Sequence, residues 1–177
     1  MAAVTKSGRA QAVAPLLVAS SIFGTLLLMS AVEQPAVRVA NADSVGPRTL
    51  EAQTRSAVIR DYLAAWNSLS HALDENNAHL LDTDFTGLAR EKLSDTIADQ
   101  QKLGLRTLYL DRQHDIHLIF YSPEGLSVQL LDSVEYDVQV LDHDKVQATQ
   151  HVRTQYLAVL TPTEVRWKVR IFQSTPE

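Results

Sequence analysis

The chain lacks cysteine altogether and has only six glycines among its 177 residues. Without cysteine it can form neither a disulfide nor an iron–sulfur cluster, and it has no thiol nucleophile or cysteine-rich zinc site. The glycine motifs of phosphate loops and dinucleotide cradles are missing, as is a Gly-x-Ser-x-Gly elbow. A basic excess is missing too, since the formal net charge is -5. We therefore expect no nucleic-acid partner.

The six histidines do not form a metal-binding pattern. His114 and His117 are three residues apart, and on a strand this odd spacing sends their side chains to opposite faces. His71 and His79 flank a helix end and lack the spacing of four that a helical metal motif uses. The sequence thus predicts no metal site and no cofactor.

A long stretch without any charge spans residues 10–32. It has the length of about 20 apolar residues that a membrane-spanning helix requires, and it shows no polar stripe. Lys6 and Arg9 precede it and Glu33 follows it, so the positive-inside tendency predicts a cytoplasmic stretch at residues 1–9. We expect a single-pass signal anchor in a bacterial inner membrane, with an extracytoplasmic C-terminal domain.

A cleaved signal peptide is the alternative for this segment. Ala40-Asn41-Ala42 has the small-x-small pattern that signal peptidase prefers, and cleavage near Ala42 would give a secreted or periplasmic protein. The stretch from Glu33 to Ala42 is long for such a site and contains Arg38, which favours the anchor. Residues 33–48 hold two prolines and a glycine without sustained periodicity, which predicts a flexible linker.

Two amphipathic helices are predicted at the start of a domain formed by residues 49–177. The first carries an apolar stripe, formed by Val58, Tyr62, Ala65, Trp66, Leu69 and Leu73. Asp74-Glu75-Asn76-Asn77 breaks it, and a short turn follows at 78–81. The second runs from about Thr86 to Leu103, with apolar residues every four positions at Phe85, Ala89, Leu93 and Ile97. Gly104 is placed to end it in the left-handed conformation.

After Gly104 the apolar period changes from helical to two, which predicts strands. One apolar face is expected from Ile116, Leu118 and Phe120, then from the even positions of 128–140, then from Val146, Ala148, Val152, Tyr156, Ala158 and Leu160, and finally from Val165, Trp167, Val169 and Ile171. The connections are short, so neighbouring strands must be antiparallel. We expect an α+β domain in which N-terminal helices cover one face of a curved antiparallel sheet.

The order of these elements over about residues 50–173 resembles the nuclear transport factor 2-like superfamily, whose fold is also called the cystatin-like cone. The likeness rests on Tyr62-Leu63-Ala64-Ala65-Trp66 in the long first helix, on the second helix after an acidic break, and on Val165-Arg166-Trp167-Lys168-Val169 in the last strand. Within the superfamily the chain looks most like membrane-tethered, non-catalytic members, such as the Tim-type and VirB-type extramembrane domains. The resemblance implies a pocket between helices and sheet.

Polar residues on the apolar face are the candidates for that pocket. Asp132, Gln150 and Thr154 interrupt the apolar series, and Tyr136 and Tyr156 share their face. Asp132 is the candidate catalytic residue, a general base as in the similar ketosteroid isomerases. It could instead return to solvent through a bulge near Leu131-Asp132, or be a hydrogen-bonded structural group. No oxyanion donor pair can be named beside it, so we expect no catalytic residue.

The outward face of the sheet carries a basic stripe. Arg166, Lys168 and Arg170 lie on the last strand, and Arg153 lies on its neighbour. Glu135 and Asp137 oppose them, so the stripe is either a ladder of cross-strand ion pairs or a docking face for a partner protein. A homodimer is a further alternative, because members of the superfamily that this chain resembles often dimerise through the sheet.

The sequence therefore gives two hypotheses of different classes. The first is a membrane-tethered extracytoplasmic interaction or assembly module of an envelope protein complex, without catalysis, whose partners are the membrane, through residues 10–32, and a protein of the envelope. The second is a small-ligand-binding or isomerase/hydrolase-like enzyme that uses the cone pocket with Asp132 as base.

Overall fold

A computed structural model describes residues 34–40 and 46–175. The predicted cytoplasmic stretch 1–9, the predicted membrane segment 10–32 and the proposed cleavage position Ala42 lie outside the described residues. Within the two described ranges, no helix has both the length and the apolar character that crossing a membrane requires.

Over the described residues, one short strand, two helices and four long strands follow one another. Their bounds are β1 Ala36–Val39, α1 Ala52–Asp74, a 3-10 turn Ala78–Leu81, α2 Gly87–Lys102, β2 Leu105–Tyr121, β3 Val128–Asp142, β4 Lys145–Pro162 and β5 Trp167–Thr175. The strands pair in the order β1-β2-β3-β4-β5. Strands β2 to β5 are antiparallel neighbours. The predicted α+β class, with two helices packed on a curved sheet, is confirmed.

The apolar stripe predicted for α1 is buried as expected, from Val58 to Leu73. Asp61 is buried beside it, although its position lies off the stripe. Its Oδ2 accepts a hydrogen bond of 2.9 Å from the backbone N–H of Trp167, at the start of β5. The carboxylate thus satisfies a distant buried donor, which the helical period alone does not reveal.

Helix α2 also matches its predicted extent within one or two residues. Ala89 and Ile97 are buried, Phe85 is buried just before the helix, and Leu93 is half-buried. Gly104 follows the helix with a φ of 69°, a left-handed conformation in which glycine has no steric penalty. The predicted termination of the helix at Gly104 is therefore confirmed.

Bulges in the sheet overturn two of the predicted inward positions, Phe120 and Ile171. An extra residue in β2 between Leu118 and Phe120 shifts the register, so Tyr121 rather than Phe120 is buried opposite Val128. A second bulge lies in β5, where Val159 pairs with Ile171 but Leu160 pairs with Val169. It turns Phe172 inward in place of Ile171. Because a bulge inserts one residue into one strand, every later side chain changes face.

Three more predicted inward positions are wrong: Val146 and Ala148 lie in the hairpin between β3 and β4, and Val165 is 82% exposed ahead of β5. A register shift between Val140 and Leu141 pairs Val146 with Leu141, and Val146 is exposed. Ala148 is exposed as well, like every residue from Lys145 to His151. This end of β4 therefore extends beyond the covered part of the sheet, and its alternation reflects pairing without burial.

The predicted linker contains a short strand. Ala36–Val39 pairs in parallel with 113–116 of β2, and Ala40 N–H donates to the Ile116 carbonyl at 3.0 Å. The predicted flexible linker over 33–48 is therefore wrong along Ala36–Val39, and so is the prediction of a wholly antiparallel sheet. Val37 and Val39 have high strand propensity, and the edge of β2 supplies the unpaired backbone groups that four residues can use.

A carboxylate at the other sheet edge ties the helices to β5. Asp84 is buried, and its two oxygens accept from Ser68 Oγ at 2.5 Å and Arg166 Nη1 at 2.7 Å. The Asp84 carbonyl accepts from Val169 N–H at 2.8 Å. Asp84 therefore joins α1, the segment before α2 and the start of β5.

We expect Asp84→Ala to lower the free energy of unfolding by about 2–3 kcal/mol, because it leaves a half-buried hydroxyl and a half-buried guanidinium without their acceptor. Asp82→Ala is the matched control: Asp82 is two residues away but its side chain is far more exposed, and it pairs with Arg90 at the surface. Its effect should be much smaller. Urea unfolding followed by circular dichroism measures both, and equal effects would contradict the role given to Asp84.

Candidate functional site

The centre of the cone holds a fully buried carboxylate, Asp132 of β3, with an exposure of 0%. The Tyr62 hydroxyl of α1 donates to its Oδ2 at 2.9 Å, and His114 Nδ1 of β2 donates to the same oxygen at 2.7 Å. The pairing of β3 with β4 runs without a shift from Val128 to Val140. The predicted inward direction of Asp132 is therefore correct, and the alternative of a bulge at that point is wrong.

His114 lies between two carboxylates and is 1% exposed. Its Nδ1 faces Asp132, and its Nε2 lies 3.8 Å from Asp111 Oδ2, an ion-pair rather than a hydrogen-bond distance. Burial disfavours the charged imidazole, but the interactions with Asp111 and Asp132 outweigh it and raise the pKa of His114 to about 9. At neutral pH this histidine is a buried cation held by two anions.

The phenol of Tyr62 remains a donor under all physiological conditions. Its burial and the negative charge of Asp132 raise its pKa well above the usual value of 10.0. Asp132 Oδ2 therefore has two fixed donors, whereas Oδ1 of Asp132 and Oδ1 of Asp111 are buried without a hydrogen-bond partner in the described part of the chain. The cluster is positioned to hold charge rather than to exchange protons with solvent.

An aromatic layer around Trp66 of α1 covers this cluster. The Trp66 ring contacts His114 edge-on at 5.2 Å, and it also contacts Tyr156 and Phe172, each at 5.3 Å. Tyr136 packs against Trp66 at 5.9 Å, and its hydroxyl lies 3.2 Å from that of Tyr156. Edge-to-face contacts at these distances are favourable.

A cavity of about 430 Å³ opens on the far side of this layer. We call it the cone-mouth cavity. It lies between both helices and the sheet, and it is lined by Leu69, Leu73, Lys92, Leu93, Thr96, Tyr109, Tyr156, Phe172, Gln173 and Ser174. Neither Asp132 nor His114 is among these residues, so the cavity and the buried charges are separate features.

The five predicted pocket residues are thus divided among different environments. Asp132 and Tyr136 are buried, and Tyr156 lines the cone-mouth cavity. Thr154 is half-buried opposite Val134 and lines a second depression of about 350 Å³ with Gln155 and Thr175. Gln150 pairs with Val138 but is exposed, because it lies on the uncovered end of β4. The structure therefore does not bring these five side chains together in one pocket.

Most of the predicted interaction residues have partners within the chain. Arg153 Nη2 pairs with Glu135 at 2.8 Å, and Arg166 pairs with the buried Asp84. Lys168 Nζ donates to the Asp82 carbonyl at 2.8 Å. Arg170 is exposed. The cross-strand ladder, one of the two readings of this stripe, accounts for Arg153.

Asp137 extends the same ladder on the outer face. Its carboxylate pairs with Arg112 and with His151 Nδ1, the latter at 2.8 Å. The hydrogen bonds from Arg112 and His151 lower the pKa of Asp137 to about 2. Within the described ranges, no group of three or more histidine and acidic side chains is arranged so that it could hold a metal ion.

Sequence reasoning missed two members of the buried cluster. His114 shares the even positions of Ile116 and Leu118, so its inward direction was available from the alternation. The inward direction of Asp111 could not be predicted from the alternation, because a register shift between Asp111 and Gln113 brings an odd position to the inner face. Tyr62 was placed correctly in the core but without its bond to Asp132.

No family model and no curated protein matches the chain. Among solved structures, the intermembrane space region of the chloroplast protein ARC6 aligns with a TM-score of 0.59 and 17% identity, over 74% of this chain and 100% of that one. A candidate scytalone dehydratase from Novosphingobium aromaticivorans aligns with a TM-score of 0.50 and 15% identity, over 71% and 89%. At these identities the likenesses establish a shared α+β fold alone, with helices packed on a curved sheet.

We expect the stability of the protein to fall as the pH rises from about 6.5 to about 9. The folded state raises the pKa of His114 to about 9, so its stabilising charge is complete below the unfolded pKa and is lost through the folded one. The loss should be on the order of 3 kcal/mol. Urea unfolding at several pH values measures it, and the profile of His114→Gln serves as the reference. If both profiles have the same slope above pH 6.5, His114 is not a buried cation.

Proposed function

We propose that the chain is a membrane-tethered, extracytoplasmic interaction or assembly module of an envelope protein complex, and that it performs no catalysis. One observation carries this proposal: the acid–base residues of the cone are enclosed, with Asp132 at 0% and His114 at 1% exposure. A general base must reach the proton that it abstracts. Asp132 Oδ2 instead accepts two hydrogen bonds from its own chain.

The outer face of the sheet offers a surface for a protein partner. Four aliphatic side chains face outward there and are half-buried, namely Leu131, Leu157, Val159 and Ile171. Leu131 pairs with Leu157, and Val159 with Ile171, across adjacent strands. We call this set the outer aliphatic patch. Apolar side chains grouped on an exposed sheet face are typical of interaction surfaces.

With a membrane tether, the small outer aliphatic patch would be sufficient for association with a partner protein. A segment anchored at residues 10–32 confines the domain to the membrane, which raises its effective concentration toward other membrane proteins. The likeness to the intermembrane space region of ARC6 supports a setting beside membranes by fold analogy only. Strand β1, Ala36–Val39, pairs with the edge of the sheet at β2. In the proposed module this pairing lies in the segment that joins the anchor to the domain.

The alternative is a small-ligand-binding or isomerase/hydrolase-like enzyme with Asp132 as base. In its favour, Asp132 Oδ1 has no partner among the described residues. The two hypotheses differ in what Asp132 does for stability. A catalytic carboxylate in an apolar pocket usually lowers stability, so its replacement is neutral or stabilising. A structural one that pairs a buried cation cannot be removed without cost.

We expect Asp132→Asn to lower the free energy of unfolding by about 3–5 kcal/mol, because the His114 cation loses the nearer of its two counter-ions. Asp132→Asn combined with His114→Gln should cost clearly less than the sum of the two single changes, since the pair acts as a unit. Urea unfolding at pH 7 of the four proteins measures this coupling. A neutral or stabilising Asp132→Asn would favour the enzyme.

We expect a photoreactive amino acid placed at Leu157 of the full-length protein to cross-link one protein of defined mass in intact membranes. The control is the same group at Leu103, which is 72% exposed at the end of α2. It should not cross-link this protein. The adduct should disappear when residues 1–32 are replaced by a cleavable export signal. An adduct with twice the mass of the chain would indicate a homodimer instead, and no adduct, or one independent of the tether, would contradict the module.

A further inference from the structure

The cone-mouth cavity has the size and lining of a small-molecule site. Ligand pockets usually measure about 300–1,000 Å³ and combine apolar walls with a few polar groups, and this cavity measures about 430 Å³. We propose that it binds a small, flat, apolar molecule carrying a single carboxylate, with Lys92 as the residue that recognises the charge.

The walls of the cavity favour a flat apolar body. Tyr156 and Phe172 stack on each other with their planes at 14° and their centroids 4.5 Å apart, and together they present an aromatic surface to the cavity. Leu69 and Leu73 of α1 and Leu93 of α2 lie on the helical side. A planar ring system can contact the aromatic surface on one face and the leucines on the other, which buries apolar area on both faces.

The charge of the lining is a single positive one. Lys92 is exposed on α2, and its ammonium has no hydrogen bond or ion pair within the described ranges. No acidic side chain and no other basic one lines the cavity. Burial raises the pKa of Tyr109 to about 12 and raises the pKa of Tyr156 as well, so both phenols are neutral at pH 7.

This arrangement distinguishes between classes of ligand. A cation would meet Lys92 without any compensating carboxylate. A phosphate group carries nearly two charges and is usually held by several donors, such as guanidinium groups or successive backbone N–H groups, which this lining lacks. A carboxylate matches one ammonium in charge, and Ser174 and Gln173 at the β5 side of the cavity can supply neutral hydrogen bonds.

Binding at this cavity does not depend on the proposed function. The domain could hold such a molecule with or without a protein partner, because the outer aliphatic patch lies on the opposite face of the sheet. Nor does binding require Asp132, which does not line the cavity.

The test uses the full-length protein in lipid nanodiscs, with methyl-labelled leucine observed by NMR. The probes are 2-naphthoate, its neutral analogue 2-naphthamide, and decanoate, which has the charge without the rings. The variant is Lys92→Gln. The control is Lys102→Gln on the same helix, because Lys102 pairs with Asp99 outside the cavity.

We expect 2-naphthoate to shift the methyl signals of Leu69, Leu73 and Leu93 saturably. Lys92→Gln should weaken the binding of 2-naphthoate by up to about fivefold, the range of a solvent-exposed ion pair. 2-Naphthamide should bind the original protein and Lys92→Gln with the same affinity. Lys102→Gln should change neither, and decanoate should bind more weakly than 2-naphthoate. The proposal is overturned if 2-naphthoate gives no saturable shift or is unaffected by Lys92→Gln, and its flat body is overturned if decanoate binds more tightly.

Discussion

The fold depends on one buried charge, the carboxylate of Asp132. A fully buried ion is tolerated only when it is paired and hydrogen-bonded, and its partners come from two other elements, Tyr62 of α1 and His114 of β2. Shifting α1 along the sheet, or slipping β2 by one residue against β3, would leave a charge unpaired in the core. The carboxylate therefore fixes the position of the helix and the register of the sheet together.

The same constraint separates the cone into two chemically different parts. The bonding capacity of Asp132 Oδ2 and of the His114 Nδ1–H is used within the chain, and Trp66 lies against His114 on one side and Tyr156 on the other. The interior therefore holds the charge, whereas the open cone-mouth cavity is aromatic and aliphatic with Lys92 as its ionised residue. Neither Asp132 nor His114 lines that cavity.

Local signals made much of this predictable. The α1 stripe and the ends of α2 follow from a 3.6-residue period and from Gly104, and Asp132 points inward because β3 pairs without a shift around it. The wrong predictions concern features that depend on contacts between residues far apart in the sequence. Bulges reversed the faces of Phe120 and Ile171, and β1 formed only because the distant edge of β2 was available. Asp61 is buried because its carboxylate accepts a hydrogen bond from the Trp167 N–H, about a hundred residues away.

The outer face shows how a module of this kind could remain soluble yet associate. Along β3 and β4, the half nearer the hairpin carries the ion pairs of Glu135 with Arg153 and of Asp137 with His151. The other half carries the outer aliphatic patch. Charges that are already paired gain little from a new partner, so the energy of docking must come from the patch, which is small. In the proposed membrane-tethered module, confinement to the membrane surface would supply the missing effective concentration, and the domain would associate only where the proposed anchor held it.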